Sequence, residues 1–287
     1  MPLDSIAEIL ASCSERNLAF WQVVLEADVE ERQVSAGASF EKMRATWRAM
    51  LDSAESYDGG LRSVSGLSGG DGELMLRYAA GGAALGGGYI SEVIATALCV
   101  GESNACMRKI VAAPTAGACG VLPAVLVPLY RRGEREEDIL RALYTAAGIG
   151  AVINSRASIS GAAGGCQAEI GSASAMAAGA LAQLRGGGPE QTANALAMAL
   201  KNLMGLICDP VAGLVEVPCV KRNVIGAVNA VSCADMALAG ITSRIPADEV
   251  IDCMGIVGER LPREFRETAR GGLAATPTGR AAWKQLK

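Results

Sequence analysis

The chain has 287 residues, of which 51% are hydrophobic, 20% charged and 4% aromatic, with 35 Gly, 9 Cys and no His. This apolar content excludes a disordered chain, and the missing imidazole excludes Ser-His-Asp and Cys-His catalysis, His-ligated zinc and His-ligated haem within the chain. A formal charge of -4 and the scarcity of aromatic rings argue against phosphate-driven binding and base stacking, so no nucleic-acid partner is expected.

The opening MPLDSIAEIL has an acidic residue and no basic n-region, so it does not read as a secretory leader and a cytoplasmic protein is expected. Residues 3–31 read as an amphipathic helical segment with Leu3, Ile6, Leu10, Trp21, Val24 and Leu25 on its apolar side. Residues 38–55 read as a second, with Phe40, Met43, Trp47 and Met50 at helical spacing. Residues 1–55 are thus expected to form a helical lead-in packed on a main body. Residues 56–72 (SYDGGLRSVSGLSGGDG) are rich in Gly and Ser without a period, which predicts a loop and an internal boundary. Its 65–72 part is either a linker or a cradle of backbone N–H groups for a carboxylate; it has neither the P-loop nor the GxGxxG pattern.

From residue 73 the chain is rich in Ala, Gly, Leu and Met with few β-branched runs, so an all-α domain over 73–287 is expected. Helices are predicted near 73–85, 89–100, 121–132, 136–154, 168–184 and 189–204, separated by small-residue loops at 112–120, 158–166 and 205–219. Loops of Gly, Ala and Pro inside an apolar body let a backbone approach a ligand closely. The uncharged stretch 110–130 is long enough for a bilayer, but Pro114, Pro123, Pro128, Gly117 and Gly120 interrupt it, so a buried element and no membrane partner are expected. A helix resumes at 221–242, and Pro246 starts another that runs to about 258 with Asp248 and Glu249 in its first turn. The final ETARGGLAATPTGRAAWKQLK reads as loop.

Nine is an odd number of cysteines and none forms a CxxC pair, which excludes a complete disulfide framework and the zinc-ribbon and thioredoxin signatures. Cys13, Cys99, Cys233 and Cys253 lie in helical, apolar contexts as small hydrophobes, and Cys106 and Cys119 flank the 112–120 loop as packing residues. Cys166, Cys208 and Cys219 instead stand at loop edges in the contexts GGC, LICDP and VPC. Gly and Pro there suit a backbone bending around an inorganic core; the residues alone leave a metal or cluster site and incidental buried thiols both open. Without imidazole, proton abstraction within the chain falls to Lys109, Lys221, Glu169, Asp209, Glu216 or a Tyr, each otherwise a paired or solvated group. Arg222 and Asn223 directly follow the Cys219 segment and are placed to orient a ligand.

The segments SNACMRKIVAAPTAGACGVLPAVL (103–126), ASISGAAGGCQAEIGSASAMAAGAL (157–181), GLICDPVAGLVEVPCVKRN (205–223) and RETARGGLAATPTG (266–279) resemble the iron-sulfur L-serine dehydratases, above all the separate alpha chain of the two-chain bacterial form. The resemblance implies an all-helical catalytic subunit with a [4Fe-4S] cluster held by Cys166, Cys208 and Cys219, converting L-serine to pyruvate and ammonia without pyridoxal phosphate. It implies an open iron acting as Lewis acid on the substrate hydroxyl, and Thr115, Ala116 and Gly117 binding the substrate carboxylate with Asn104 beside them. It further implies an oligomer and a beta subunit that completes the site. The base is then expected from that partner, with Thr115 and Lys221 the candidates within this chain. The same elimination on L-threonine or L-cysteine, and a non-catalytic cluster-binding subunit, are the alternatives. Three departures stand out: Ala163 replaces a Glu common in relatives, SNACMRK replaces the usual ENASMGR and so adds Arg108 and Lys109, and the last cysteine is Cys253. Self-occupation of the open iron by a tail cysteine is therefore not expected.

Overall fold

The computed structural model describes residues 4–286, so Leu3 of the predicted first segment and Lys287 lie outside the described residues. Ser5 starts the first helix, α1 (Ile6–Arg16), by accepting the Glu8 N–H on its hydroxyl, and Asn17 ends it in the left-handed region at φ 51. The segment expected to run continuously over 3–31 is therefore two helices, with α2 at Phe20–Arg32. Asparagine tolerates that backbone better than other non-glycine residues, which makes it a stop inside an otherwise periodic pattern. Helix α3 (Ala36–Glu55) is capped in the same way by Ser35.

Helix α2 lies on α7 (Glu136–Arg156), α3 lies on both α7 and α6 (Val121–Arg131), and α1 packs against α2. Trp47 and Phe20 are fully buried there, Trp47 packs edge-on to Tyr130 at 5.5 Å, and Phe40 packs edge-on to Tyr144 at 5.2 Å. Each such side chain removed from water contributes about 1.5–3 kcal/mol. The loop that follows runs to Gly70, and α4 (Asp71–Ala80) stops at Gly81 and Gly82, short of the predicted 85, because Gly82 turns at φ +71. Helix α5 (Gly87–Ala105) then passes through the core.

The stretch 110–130 is interrupted as expected: a loop with a cis Ala113–Pro114 bond and a short 3-10 turn, Ala116–Ala118, precede α6. No helix among the described residues is long and apolar enough to cross a membrane. After a four-residue turn α8 (Gly161–Gly164), the chain enters a π-helical turn, Gln167–Gly171, and then α9 (Ser172–Leu184). Helix α9 is buried from Ser172 to Ala182 and is the centre of the molecule, packed by α7, α10 (Pro189–Asn202) and α11 (Cys219–Leu238). Small residues make this possible. A Cβ on Gly179 would sit 2.3 Å from Ile149 Cδ1 of α7, and one on Gly226 would sit 2.9 Å from Ile170 Cγ2.

Helix α12 (Ala247–Arg260) follows Pro246, as predicted. The end, predicted as loop, contains a further helix, α13 (Pro277–Gln285). Its signal is local: Thr276 Oγ1 accepts the Gly279 N–H at 3.1 Å and Pro277 occupies the first helical position. The described residues hold thirteen helices and no strand, only an isolated parallel bridge between Cys208 and Arg266.

Candidate active site

Three of the irregular segments converge beside the N-terminus of α11. Cys166 immediately precedes the π-helical turn, Cys208 lies in the extended bridge to Arg266, and Cys219 is the first residue of α11. Cys166 and Cys208 are buried, Cys219 is half-buried, and all three are free thiols. Burial raises each thiol first: Cys166 is pushed up to about 11 and Cys219 to about 12, and Cys208 is raised further still. The next causes on Cys208 are the negative charges of Cys166, Glu169 and Cys219, so the three sulfurs and one carboxylate share a neighbourhood.

Glu169 sits within the π-helical turn, the kind of helical irregularity that re-aims side chains at functional sites. Its Oε1 accepts the Thr115 hydroxyl at 2.7 Å, and the Cys208 thiol points at Oε2 at 3.9 Å. Burial raises this carboxyl, and the Thr115 hydroxyl pulls it back. Two glycines make the room. A Cβ on Gly161 would stand 2.6 Å from Glu169 Oε2 and 3.1 Å from Cys208 Sγ, and one on Gly117 would stand 3.2 Å from Glu169 Oε1.

The PTAG loop faces the same carboxylate. Two asparagines hold it by its carbonyls: Asn104 Nδ2 donates to Ala116 O at 3.2 Å, and Asn223 Nδ2 donates to Gly117 O at 2.8 Å. Asn223 Oδ1 also accepts the Gly120 N–H at 2.8 Å. The first hydrogen bond of the turn is Ala118 N–H to Thr115 O, so the N–H groups of Ala116 and Gly117 lie ahead of it and have no hydrogen-bond partner among the described residues, which suits them to an anion. Asn104 thus supports the loop through a carbonyl, and Thr115 reaches the site by its hydroxyl.

A buried ion pair ties the cysteine segments together. Arg222 Nη2 donates to Asp209 Oδ1 at 2.8 Å with side-chain exposures of 11% and 2%, Nη1 donates to Ile207 O at 2.8 Å, and the guanidinium's positive charge acts on the Cys166 sulfur. The other Asp209 oxygen accepts Leu273 N–H at 2.7 Å. Together with Cys208 N–H to Phe265 O at 2.8 Å and Glu267 N–H to Cys208 O at 3.0 Å, this draws the 265–273 segment against the site. Glu267 sits at φ 60 and adds negative charge near Glu169. Gln167 clamps from below, accepting Gly205 N–H at 2.8 Å and donating to Met254 O at 3.2 Å.

Lys221 is not brought to this place. Two residues past Cys219 on a helix is more than half a turn round, and its ammonium pairs with Asp71 at 2.7 Å while 69% exposed. Arg108 and Lys109 are exposed as well, and Ala163 lies on the surface of α8. Glu216 is buried, but its Oε2 accepts the Ser63 and Ser65 hydroxyls at 2.6 and 2.5 Å, which fastens the Gly-rich loop to the segment leading into Cys219. Sequence reading had no means of singling out Glu267 or Gln167. Both lie inside the resembling blocks, but neither residue type announces a role.

The residues present suit an iron-sulfur cluster: two buried thiols and one half-buried thiol from three bendable segments, one guanidinium to offset their charge, and a wall of glycine where a Cβ would intrude. Among the described residues no three Cys, Asp or Glu converge as ligands of a single ion. Cluster thiolates each bind a different iron and so surround a core instead of meeting at a point.

A family model described as serine dehydratase alpha chain matches residues 15–274. The chain is 46% identical to the probable L-serine dehydratase, alpha chain, of Bacillus subtilis (strain 168), over 98% of this chain and 94% of that one. It is 39% identical to the L-serine dehydratase, alpha chain, of Peptoniphilus asaccharolyticus, over 96% of each. It is also 47% identical to the L-serine dehydratase of Streptomyces coelicolor over 62% of this chain and 40% of that longer protein. With the matched region enclosing all three cysteines, the PTAG loop and the segment that closes over Cys208, the chain belongs to the serine dehydratase alpha chain family.

Proposed function

We propose that this chain is the alpha subunit of an L-serine dehydratase that removes water and then ammonia from L-serine to leave pyruvate. The observation that carries this reading is the placement of Glu169 between the Thr115 hydroxyl and the Cys208 thiol, which joins the PTAG loop and the cysteines into one site. Cys166, Cys208 and Cys219 would hold a [4Fe-4S] cluster, which when bound supplies a Lewis acid for the substrate hydroxyl. The chain's own residues do the rest of the positioning. Ala116 and Gly117 N–H groups take the substrate carboxylate, Asn104 and Asn223 keep that turn in place, and Arg222 steadies the Cys166 thiolate. The aminoacrylate left after loss of water tautomerises and hydrolyses in solution to pyruvate and ammonia, and on this reading no role falls to pyridoxal phosphate.

The names of the relatives as alpha chains support a second subunit. The site agrees, because Lys221 and Lys109 point to solvent and the proton acceptor is expected from that beta chain. The exposed placement of residues 107–109 gives L-threonine or L-cysteine no added support as substrate.

The test is anaerobic purification with and without the beta chain, followed by iron content, visible absorption and pyruvate release from L-serine. Iron that survives Cys166→Ala, Cys208→Ala and Cys219→Ala would sink the cluster assignment. Full activity of the isolated chain would sink the two-chain reading.

A further inference from the structure

L-Serine presents three handles, a carboxylate, a hydroxyl and an ammonium, and the site described above receives only the first two. An ammonium taken out of water needs an anionic acceptor. Most carboxylates near the cysteines are occupied. Asp209 accepts from Arg222 and from Leu273 N–H, and Glu216 accepts from two serines. Glu102, further off, accepts Tyr57 OH together with the Asp71 and Gly72 N–H groups.

Glu169 differs from all of these. It is half-buried, its described partners are a hydroxyl and a thiol, and no Lys or Arg pairs with it among the described residues. A carboxylate withdrawn from water with no cation beside it is a poor structural element. It becomes useful when a cation arrives. Glu267, on the segment closing over Cys208, adds a second negative charge on the same side. Glu169 also spans the right places, with one oxygen on the Thr115 side, where the carboxylate would lie, and the other on the Cys208 side, where the hydroxyl would lie. The α-carbon of a serine held at both ends lies between them.

We propose that Glu169 receives the α-ammonium group of the substrate, which restricts the site to zwitterionic α-amino acids and excludes the corresponding carboxylic acids. This rests on the serine dehydratase reading, and it assigns Glu169 to binding and not to proton abstraction.

The test uses the iron-loaded complex and two ligand pairs that differ only in the amino group: L-alanine against propionate, and L-serine against 3-hydroxypropionate. For the wild type, L-alanine is expected to inhibit competitively on the order of ten- to a hundredfold more tightly than propionate, as a charge-assisted hydrogen bond provides. Equal inhibition by the pair overturns the proposal without recourse to any variant. In Glu169→Gln, with visible absorption as in the wild type, the advantage of L-alanine over propionate and the KM advantage for L-serine are expected to collapse while 3-hydroxypropionate binds as before. Glu169→Asp is expected to restore part of the advantage. A variant that weakens both members of each pair equally, or that loses kcat with inhibition unchanged, overturns the assignment. Failure of the wild type to release pyruvate from L-serine tells against the dehydratase reading instead, and the alanine–propionate comparison by equilibrium binding still decides the ammonium site.

Discussion

Replacing Asp209 by Ala removes one half of an ion pair whose members are 2% and 11% exposed. Arg222 would then keep its charge in a buried place with Ile207 O as its one remaining acceptor among the described residues, and Leu273 N–H would lose its acceptor as well. Breaking a buried pair from one side costs about 3–5 kcal/mol, and the unsatisfied amide adds about 1 kcal/mol. The double variant Arg222→Met/Asp209→Leu removes the stranded charge, so it is expected to be less destabilised than the sum of the two single variants by about 2 kcal/mol or more. Urea unfolding of the iron-free chain followed by far-ultraviolet circular dichroism measures all four corners of the cycle. Asp209→Ala should also expose the 265–273 segment to protease while the helical signal persists. Single variants within about 1 kcal/mol of the parent, or strictly additive losses, would refute the idea that this pair locks the cysteine segments to the C-terminal segment.

Gly161→Ala is expected to leave the helix content intact but abolish iron loading, because its Cβ would meet both Glu169 Oε2 and Cys208 Sγ; normal iron content would show that the wall yields. Lys221→Met is expected to change stability by less than about 1 kcal/mol and activity by less than about twofold, as an exposed pair contributes little; a large fall in kcat would restore Lys221 as a base candidate. Burial pushes the non-ligand thiols Cys99 and Cys119 up to about 12 from an ordinary value of 9.0. Each therefore keeps its proton in the folded chain after the unfolded chain has lost it, so its stabilising contribution is complete below pH 9 and is lost as pH rises toward 12. The expected slope is about 1.4 kcal/mol per pH unit per thiol, and Cys119→Ala should flatten the alkaline fall by one proton in chevron-free equilibrium unfolding.

The helical class was legible because Ala, Leu and Met recur at helical spacing from 73 onward, and α6, α7 and α10 lie within a few residues of their expected bounds. What periodicity could not show were the breaks. Asn17 stops α1 by adopting a left-handed backbone, and Thr276–Pro277 starts α13 by a cap, both single-residue effects within otherwise ambiguous patterns. The three cysteines stood out by their Gly and Pro neighbours. Their carboxylate neighbour did not: Glu169 reads as one acidic residue in QAEIG, and only the π-helical turn aims it at Thr115 and Cys208. The Asp209–Arg222 pair was hidden for a similar reason, being thirteen residues apart across a loop with no period.

The missing histidine narrows the choice of proton acceptor once each candidate has a place. Lys109 and Lys221 are at the surface, Asp209 has both oxygens filled, Glu216 Oε2 is taken by the Ser63 and Ser65 hydroxyls, Tyr130 packs on Trp47, and the hydroxyls of Tyr57, Tyr78, Tyr89 and Tyr144 donate elsewhere or bond to Ser39. Of the ionisable candidates the sequence offered within this chain, Glu169 alone faces the site. If Glu169 holds the ammonium, it cannot also approach the α-proton, and the acceptor is expected from the beta subunit. The two roles separate kinetically. An ammonium anchor removed by Glu169→Gln raises KM for L-serine and leaves kcat within about threefold, whereas removal of a general base lowers kcat by about 10²–10⁴. A large primary isotope effect from L-serine deuterated at the α-carbon, present in the complex and unchanged in Glu169→Gln, would place the proton acceptor on the partner; its loss in that variant alongside a collapsed kcat would return it to this chain.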